Sequence, residues 1–298
     1  LLCISRRKFV GWAAVACAAA ALPASLCGCV NQHPELEEGG SPKLVMTSPA
    51  GLHIADKLEL DLIGIPTTTS DVPERYANVT QVGTAMAPDL ELLASMHPTC
   101  VISPNTLQSD LQPKYAGIHV GCIFLDLTSV AGLYDSIDYL GRKFDREEQA
   151  AAQRAEYEQF MRAYNATISD STAPRVLVLM GVPGSYMVAT ENCYAGSLVQ
   201  MAGAENVYAG TTEEFLDANT EDMLSRDPDI ILRTAHALPD DVRQMFAQEF
   251  ETNDIWKHFR AVQEGRVYDL TYSNFGMSAT FSYPDALNEL RTYLYESA

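Results

Sequence analysis

Two side chains of this 298-residue sequence occupy places where metal chemistry is easily built: His236 and Met86. His236 stands in Arg233-Thr234-Ala235-His236-Ala237-Leu238-Pro239, directly after an apolar run that reads as a buried strand. Ligands of α/β sheets sit at loops beyond the carboxyl ends of strands, and a histidine there offers a neutral imidazole nitrogen to a metal. Met86 stands in Val82-Gly83-Thr84-Ala85-Met86-Ala87-Pro88-Asp89, among small residues that cannot bury it. Its thioether is a soft donor, suited to iron in haem and poor for hard, oxygen-loving cations. Each also admits an ordinary reading, a solvent-facing histidine and a packing or surface methionine. The other histidines, His33, His53, His97, His119 and His258, have no partner at ligand spacing. There is no Cys-x-x-Cys-His for covalent haem and no zinc spacing, so any metal arrives with its own ligand or at a sparse site. A Gly-x-Ser-x-Gly elbow and a His-Glu-x-x-His pair are missing, and Gly181 to Tyr186 lacks a P-loop lysine, so catalytic turnover is not expected.

The elements that must hold these residues repeat. Asp89 to Ile102 aligns with Asn219 to Leu232, with Glu91/Glu221, Ser95/Ser225 and Pro98/Pro228 identical. Each copy reads as a short helix, a proline that ends it and an apolar run suited to a buried parallel strand. Further strands are expected over Lys43 to Thr47, Asp61 to Ile65, Cys100 to Ser103 and Gly121 to Leu125. In the second half they are expected over Arg175 to Met180, Met187 to Thr190, Asp229 to Arg233 and Arg266 to Leu270. Alternation of short strands with helices predicts an α/β fold of two Rossmann-like lobes with a ligand cleft between them. Between the halves, Asp145 and Glu148 suggest a capping box, and Glu147 to about Ile168 is rich in Ala, Glu and Gln without Pro or Gly. One helix of roughly 33 Å is expected there, either bracing and joining the lobes or serving as an ordinary packing helix. The boundaries read as lobes at 43–143 and 173–298 with the connecting helix at 144–172.

The amino terminus addresses compartment. Ser5-Arg6-Arg7-Lys8-Phe9 is a twin-arginine export pattern, followed by an Ala-rich stretch too short and too weakly apolar to span a membrane. Leu26-Cys27-Gly28-Cys29 resembles a lipobox, which makes 1–28 a signal peptide, Cys29 the lipidated first residue and 29–42 a flexible tether. Cys100, Cys122 and Cys193 remain, widely spaced and no disulfide framework. The formal charge of −19 argues against a nucleic-acid partner.

Several strings carry a family resemblance: Pro66 to Ser70, Arg75-Tyr76, Val82 to Asp89, Val178 to Tyr186, Arg233 to His236, Asn253 to Phe259 and Phe275-Gly276-Met277. From about Thr47 onward the chain resembles the haem-binding lipoproteins of the iron-regulated surface determinant importers, and differs in its twin-arginine signal. The resemblance implies haem held non-covalently as cargo, with Met86 and His236 as axial ligands from opposite lobes. It implies propionates on amides and hydroxyls near Thr68 and Ser70, a role suited to loop amides. Tyr186, Phe275 and Met277 sit in loops that could wall a porphyrin or simply pack in a core. Glu91 and Glu221 would dock on the two permease subunits of an ABC importer that also has ATPase subunits. Surface haem donors upstream, a lipid anchor on the outer face of the cytoplasmic membrane and a monomeric state complete the expectation. A corrinoid or siderophore binder shares the architecture without needing the Met86 and His236 pair. His/Met ligation also suits an anchored electron-transfer protein.

Overall fold

The computed structural model describes residues 41–168 and 172–296; the export signal, Cys29 and the tether up to residue 40 lie outside the described residues. The first sheet starts with β1 (Leu44–Met46), whose three side chains are all buried, as a central parallel strand requires. Ser48 caps the following α1 (Pro49–Lys57), accepting the Gly51 N–H at 3.2 Å, with proline in the first turn where its missing N–H costs nothing. The chain continues through β2 (Leu62–Ile65), β3 (Thr80–Gln81), α2 (Leu90–Met96), β4 (Cys100–Pro104), α3 (Gln108–Gly117), β5 (Cys122–Leu125) and α4 (Val130–Lys143). All pairings are parallel, in the order β3-β2-β1-β4-β5.

A single helix of 22 residues, α5 (Glu147–Ile168), leads to the second half. The expected Asp145 cap does not form. Asp145 instead takes the left-handed backbone conformation, φ 55°, because the chain reverses from α4 into α5 within three residues. The first helical bond comes from Ala150 N–H to the Arg146 carbonyl, 3.0 Å, one residue later than the sequence pattern suggests.

The second half contains β6 (Arg175–Val182), β7 (Ser185–Ala189), α6 (Tyr194–Met201), β8 (Glu205–Asn206), β9 (Phe215–Asp217), α7 (Thr220–Ser225), β10 (Ile230–Ala235), α8 (Pro239–Thr252), α9 (Arg260–Gln263), β11 (Val267–Asp269) and α10 (Tyr283–Arg291). Its sheet runs β11-β10-β6-β7-β9, with β8 on β6, and is mixed because β7 is antiparallel to both neighbours. The fold is thus α/β with two sheets, as the alternation of strands and helices predicts.

The repeat is realised atom by atom. Asp89 caps α2 and Asn219 caps α7; Ser95 Oγ donates to Leu92 O and Ser225 Oγ to Asp222 O, both at 2.8 Å. His97 and Asp227, at equivalent positions, both turn left-handed, φ 49° and 45°, before the proline and the strand.

One hydrophobic core runs across both halves, taking Met46 and Leu52 from the first, Tyr164 from α5, and Val178, Tyr194 and Leu287 from the second. Where α4, α5 and α10 meet, Tyr134 stacks on Tyr157 at 4.4 Å, and Tyr283 meets Tyr134, Tyr157 and Phe160 edge-on at 6.1, 5.9 and 5.6 Å. The hydroxyls of Tyr134 and Tyr283 are 3.2 Å apart, and Tyr164 donates to the Leu287 carbonyl at 3.0 Å. Gly196, at the start of α6, is required by close approach: a Cβ there would lie 1.8 Å from the Thr190 carbonyl oxygen.

Candidate functional site

Loops beyond the carboxyl ends of parallel strands carry Met86 and His236, and one hydrogen bond joins such loops of the two halves. The Ala279 N–H, in the loop after β11, donates to the carbonyl of Leu127, just beyond β5, at 2.7 Å.

On the first side, Met86 is displayed by a closed turn. The Ala87 N–H donates to both the carbonyl and the hydroxyl of Thr84 at 3.2 Å, Gly83 bridges Pro88, and Asp89 N–H reaches Val82 O at 2.7 Å. Gly83 has φ +93°, and a Cβ there would lie 2.6 Å from the Ala87 carbonyl, so the turn requires glycine. The methionine at its tip is 67% exposed. Thr67 N–H donates to Gly83 O at 2.7 Å, which ties the loop bearing Thr68 and Ser70 to the same turn. Ser70 N–H in turn donates to Thr68 Oγ1 at 3.0 Å, and Ser70 faces solvent.

On the second side, β10 ends at Ala235 and His236 is the next residue, exposed. Its N–H donates to the Gly181 carbonyl of β6 at 2.9 Å. The segment after β11 straps this strand end. Arg233 donates to both carboxylate oxygens of Asp269 at 2.8 Å, Leu270 N–H to Arg233 O at 2.8 Å, Thr234 Oγ1 to Phe275 O at 3.1 Å, and Tyr272 OH to His236 O at 3.3 Å.

The three expected wall residues are placed differently from one another. Tyr186 packs its ring 5.6 Å from Phe246 and gives its hydroxyl to Glu249 at 3.0 Å. Phe275 is fully buried and Met277 half-buried against the shared core. Glu249 collects donors from Asn253, Trp256 and Tyr186; burial alone would raise its pKa, but those donors outweigh it and hold the carboxyl below its ordinary value. Burial and, second, the Asp126 carboxylate at the end of β5 push Glu214 up. Glu91 and Glu221 lie exposed in the first turns of α2 and α7, and among the described residues neither forms an ion pair.

Sequence reasoning passed over Tyr272 and Leu238. Their signal was an aromatic three residues past β11 and a leucine between His236 and Pro239. Among the described residues no group of three His, Cys, Asp or Glu side chains is arranged to hold a bare metal ion. No described helix is long and apolar enough to cross a membrane.

A model of the periplasmic binding protein family matches residues 44–273. The high-affinity heme uptake system protein IsdE of Staphylococcus aureus is 38% identical over 263 residues, covering 88% of this chain and 90% of that protein. An ABC transporter substrate-binding protein from Listeria monocytogenes has a similar structure, with a TM-score of 0.83 and 45% identity over 87% of this chain and 100% of its own. S. aureus IsdE complexed with heme gives a TM-score of 0.80 at 38% identity, over 86% of this chain and 100% of its own.

Proposed function

The chain belongs to the periplasmic binding protein family, and from that premise we propose that it captures haem outside the cytoplasm and hands it to the permease of an ABC importer without chemical turnover. The observation that carries this reading is the pair of exposed side chains at loop ends of the two sheets, Met86 and His236, with no cluster of His, Cys, Asp or Glu among the described residues to hold a bare ion. Iron that already holds four ring nitrogens needs two more ligands, and a thioether and an imidazole are a recognised axial pair. The likeness to a relative solved with heme supports the same cargo.

In this reading the loop of Thr68 and Ser70, tied to the Met86 turn, receives the propionates through hydroxyls and backbone amides. Tyr186, Phe275 and Met277 shape the second-lobe wall from beneath. Glu91 and Glu221, equivalent and unpaired, dock on the two permease subunits, whose ATPase partners power import. Docking separates the lobes' grip and releases the cargo. Residues 1–28 direct export, and a lipid on Cys29 with the tether through residue 42 holds the protein, a monomer, at the outer face of the membrane. Metabolic lipid labelling of wild type against Cys29→Ser tests the anchor: equal labelling sinks it.

Absorbance titration of the purified protein with haemin tests the cargo. A saturable Soret band with a low-spin spectrum, lost on transfer to apomyoglobin, is the expected result. No Soret change while a corrinoid binds would move the protein to that neighbouring cargo class, and haem retained against apomyoglobin would favour electron transfer over delivery.

A further inference from the structure

Among the described residues three large apolar side chains are exposed: Met86 at 67%, Leu238 at 58% and Tyr272 at 41%. A core-forming chain has little reason to leave such groups in water, and exposed apolar surface gathered around polar groups marks a place where something binds. Met86 is the thioether of the first-lobe turn. The other two flank His236, one following it by two residues and the other holding its carbonyl.

Each of the two carries a second mark. Leu238 sits at φ 48° and ψ 61°, a left-handed conformation that a leucine avoids, directly before the proline that starts α8. Its carbonyl accepts the Val242 N–H at 3.1 Å in the first turn of α8, while its side chain is left in solvent; such strain gathers at ligand clamps. Tyr272 sits in a turn closed by Asn274 N–H on Thr271 O at 2.9 Å. Glu289 of α10 buttresses that turn from below, accepting Thr271 N–H at 2.8 Å and Asn274 Nδ2 at 3.2 Å.

We propose that Leu238 and Tyr272 form the second-lobe face on which a flat apolar ring lies, and that Tyr272 is also a positioning residue, fixing the His236 backbone so that the imidazole meets the ring at a set angle. This inference rests on the haem reading of the site. It places the ring contact in front of Phe275, whose own side chain is wholly enclosed. Binding removes the leucine and tyrosine surfaces from water, which supplies affinity that the two axial bonds alone do not.

Haemin titrations and thermal melts of Leu238→Gly and Tyr272→Phe, beside wild type, test it. Glycine adopts the left-handed conformation without strain, so Leu238→Gly should keep or raise Tm while weakening haemin binding about tenfold. Tyr272→Phe keeps the ring and loses the bond to His236 O. It should weaken binding about threefold to tenfold and move part of the iron from low to high spin at unchanged Tm. Wild-type affinity and spin state in both variants overturn the inference while leaving haem capture standing. So does a fall in Tm that parallels the loss of affinity, since that marks structural residues. Failure of wild type to bind haemin overturns the cargo reading and this inference with it.

Discussion

Imidazole and thioether differ in what they offer iron, and the difference sets what each substitution does. An imidazole nitrogen binds ferric and ferrous iron well, whereas a thioether is a weaker donor that favours the ferrous state. His236→Ala should therefore weaken haemin binding more than Met86→Ala, and by more than the ~10–100-fold typical of losing an outer-shell partner. In Met86→Ala the iron keeps one protein ligand, and the spectrum should shift toward high spin with a smaller change in affinity. Unchanged spectra and affinities in both variants would place the axial ligands elsewhere. An acid effect belongs to the fold. Glu249 is held below its ordinary pKa, so its contribution is fully present above the unfolded value and is lost as pH falls through the folded one. Discounted for partial exposure, Glu249→Gln should cost about 1 kcal/mol at neutral pH and flatten the loss of Tm below pH ~4. A variant melting like wild type at both pH values would show that its three donors contribute nothing.

At the level of elements, the two donors depend on turns more than on helices. Gly83→Ala meets both a positive φ and a carbonyl 2.6 Å from the new Cβ, so the turn must open or move. The expected cost is ~1–3 kcal/mol in stability, together with a reduced low-spin fraction as Met86 is displaced. A lower Tm with an unchanged haem spectrum would mean that the turn does not aim the methionine. The paired short helices test differently: Glu91→Ala with Glu221→Ala should alter stability by no more than ~0.5 kcal/mol, leave the haem spectrum intact and reduce uptake through the permease. Full uptake by that double variant removes the docking role. The helix-to-strand repeat was legible because its signals are local: a cap, a proline and an apolar run. The strands β3, β8 and β9 were not, since two or three half-exposed residues carry no periodicity. Asp145 misled because a left-handed turn and a helix cap favour the same residue type, and only the tightness of the reversal decides between them. The loop positions of Met86 and His236 were legible, whereas the Tyr272 strap joins residues 36 apart and leaves no local pattern.

For the whole molecule, the decisive feature is that both lobes share one core, with α5 built into it. The contact of Tyr134 with Tyr283 joins positions 149 residues apart, and rings from α4, α5 and α10 close around it. Lobes connected only by strands that cross a gap can hinge widely; lobes with interlocked aromatic side chains at their junction resist it, because a dense core deforms only by losing contacts. Haem-free and haem-loaded wild type should then have nearly the same radius of gyration by small-angle scattering, with cargo exchange confined to the site loops. Tyr283→Ala removes the ring that meets Tyr134, Tyr157 and Phe160 and should cost about 3–5 kcal/mol, with a clear drop in Tm. Tyr134→Phe removes only the hydroxyl contact and should cost about 1 kcal/mol. If the junction restrains the lobes, Tyr283→Ala should expand in the haem-free form, contract on adding haemin and lose cargo faster to apomyoglobin, while Tyr134→Phe stays close to wild type in all three. A wild-type protein that itself contracts markedly on binding haemin would show that the shared core permits hinging, and release would then need no loosening of the junction by the permease.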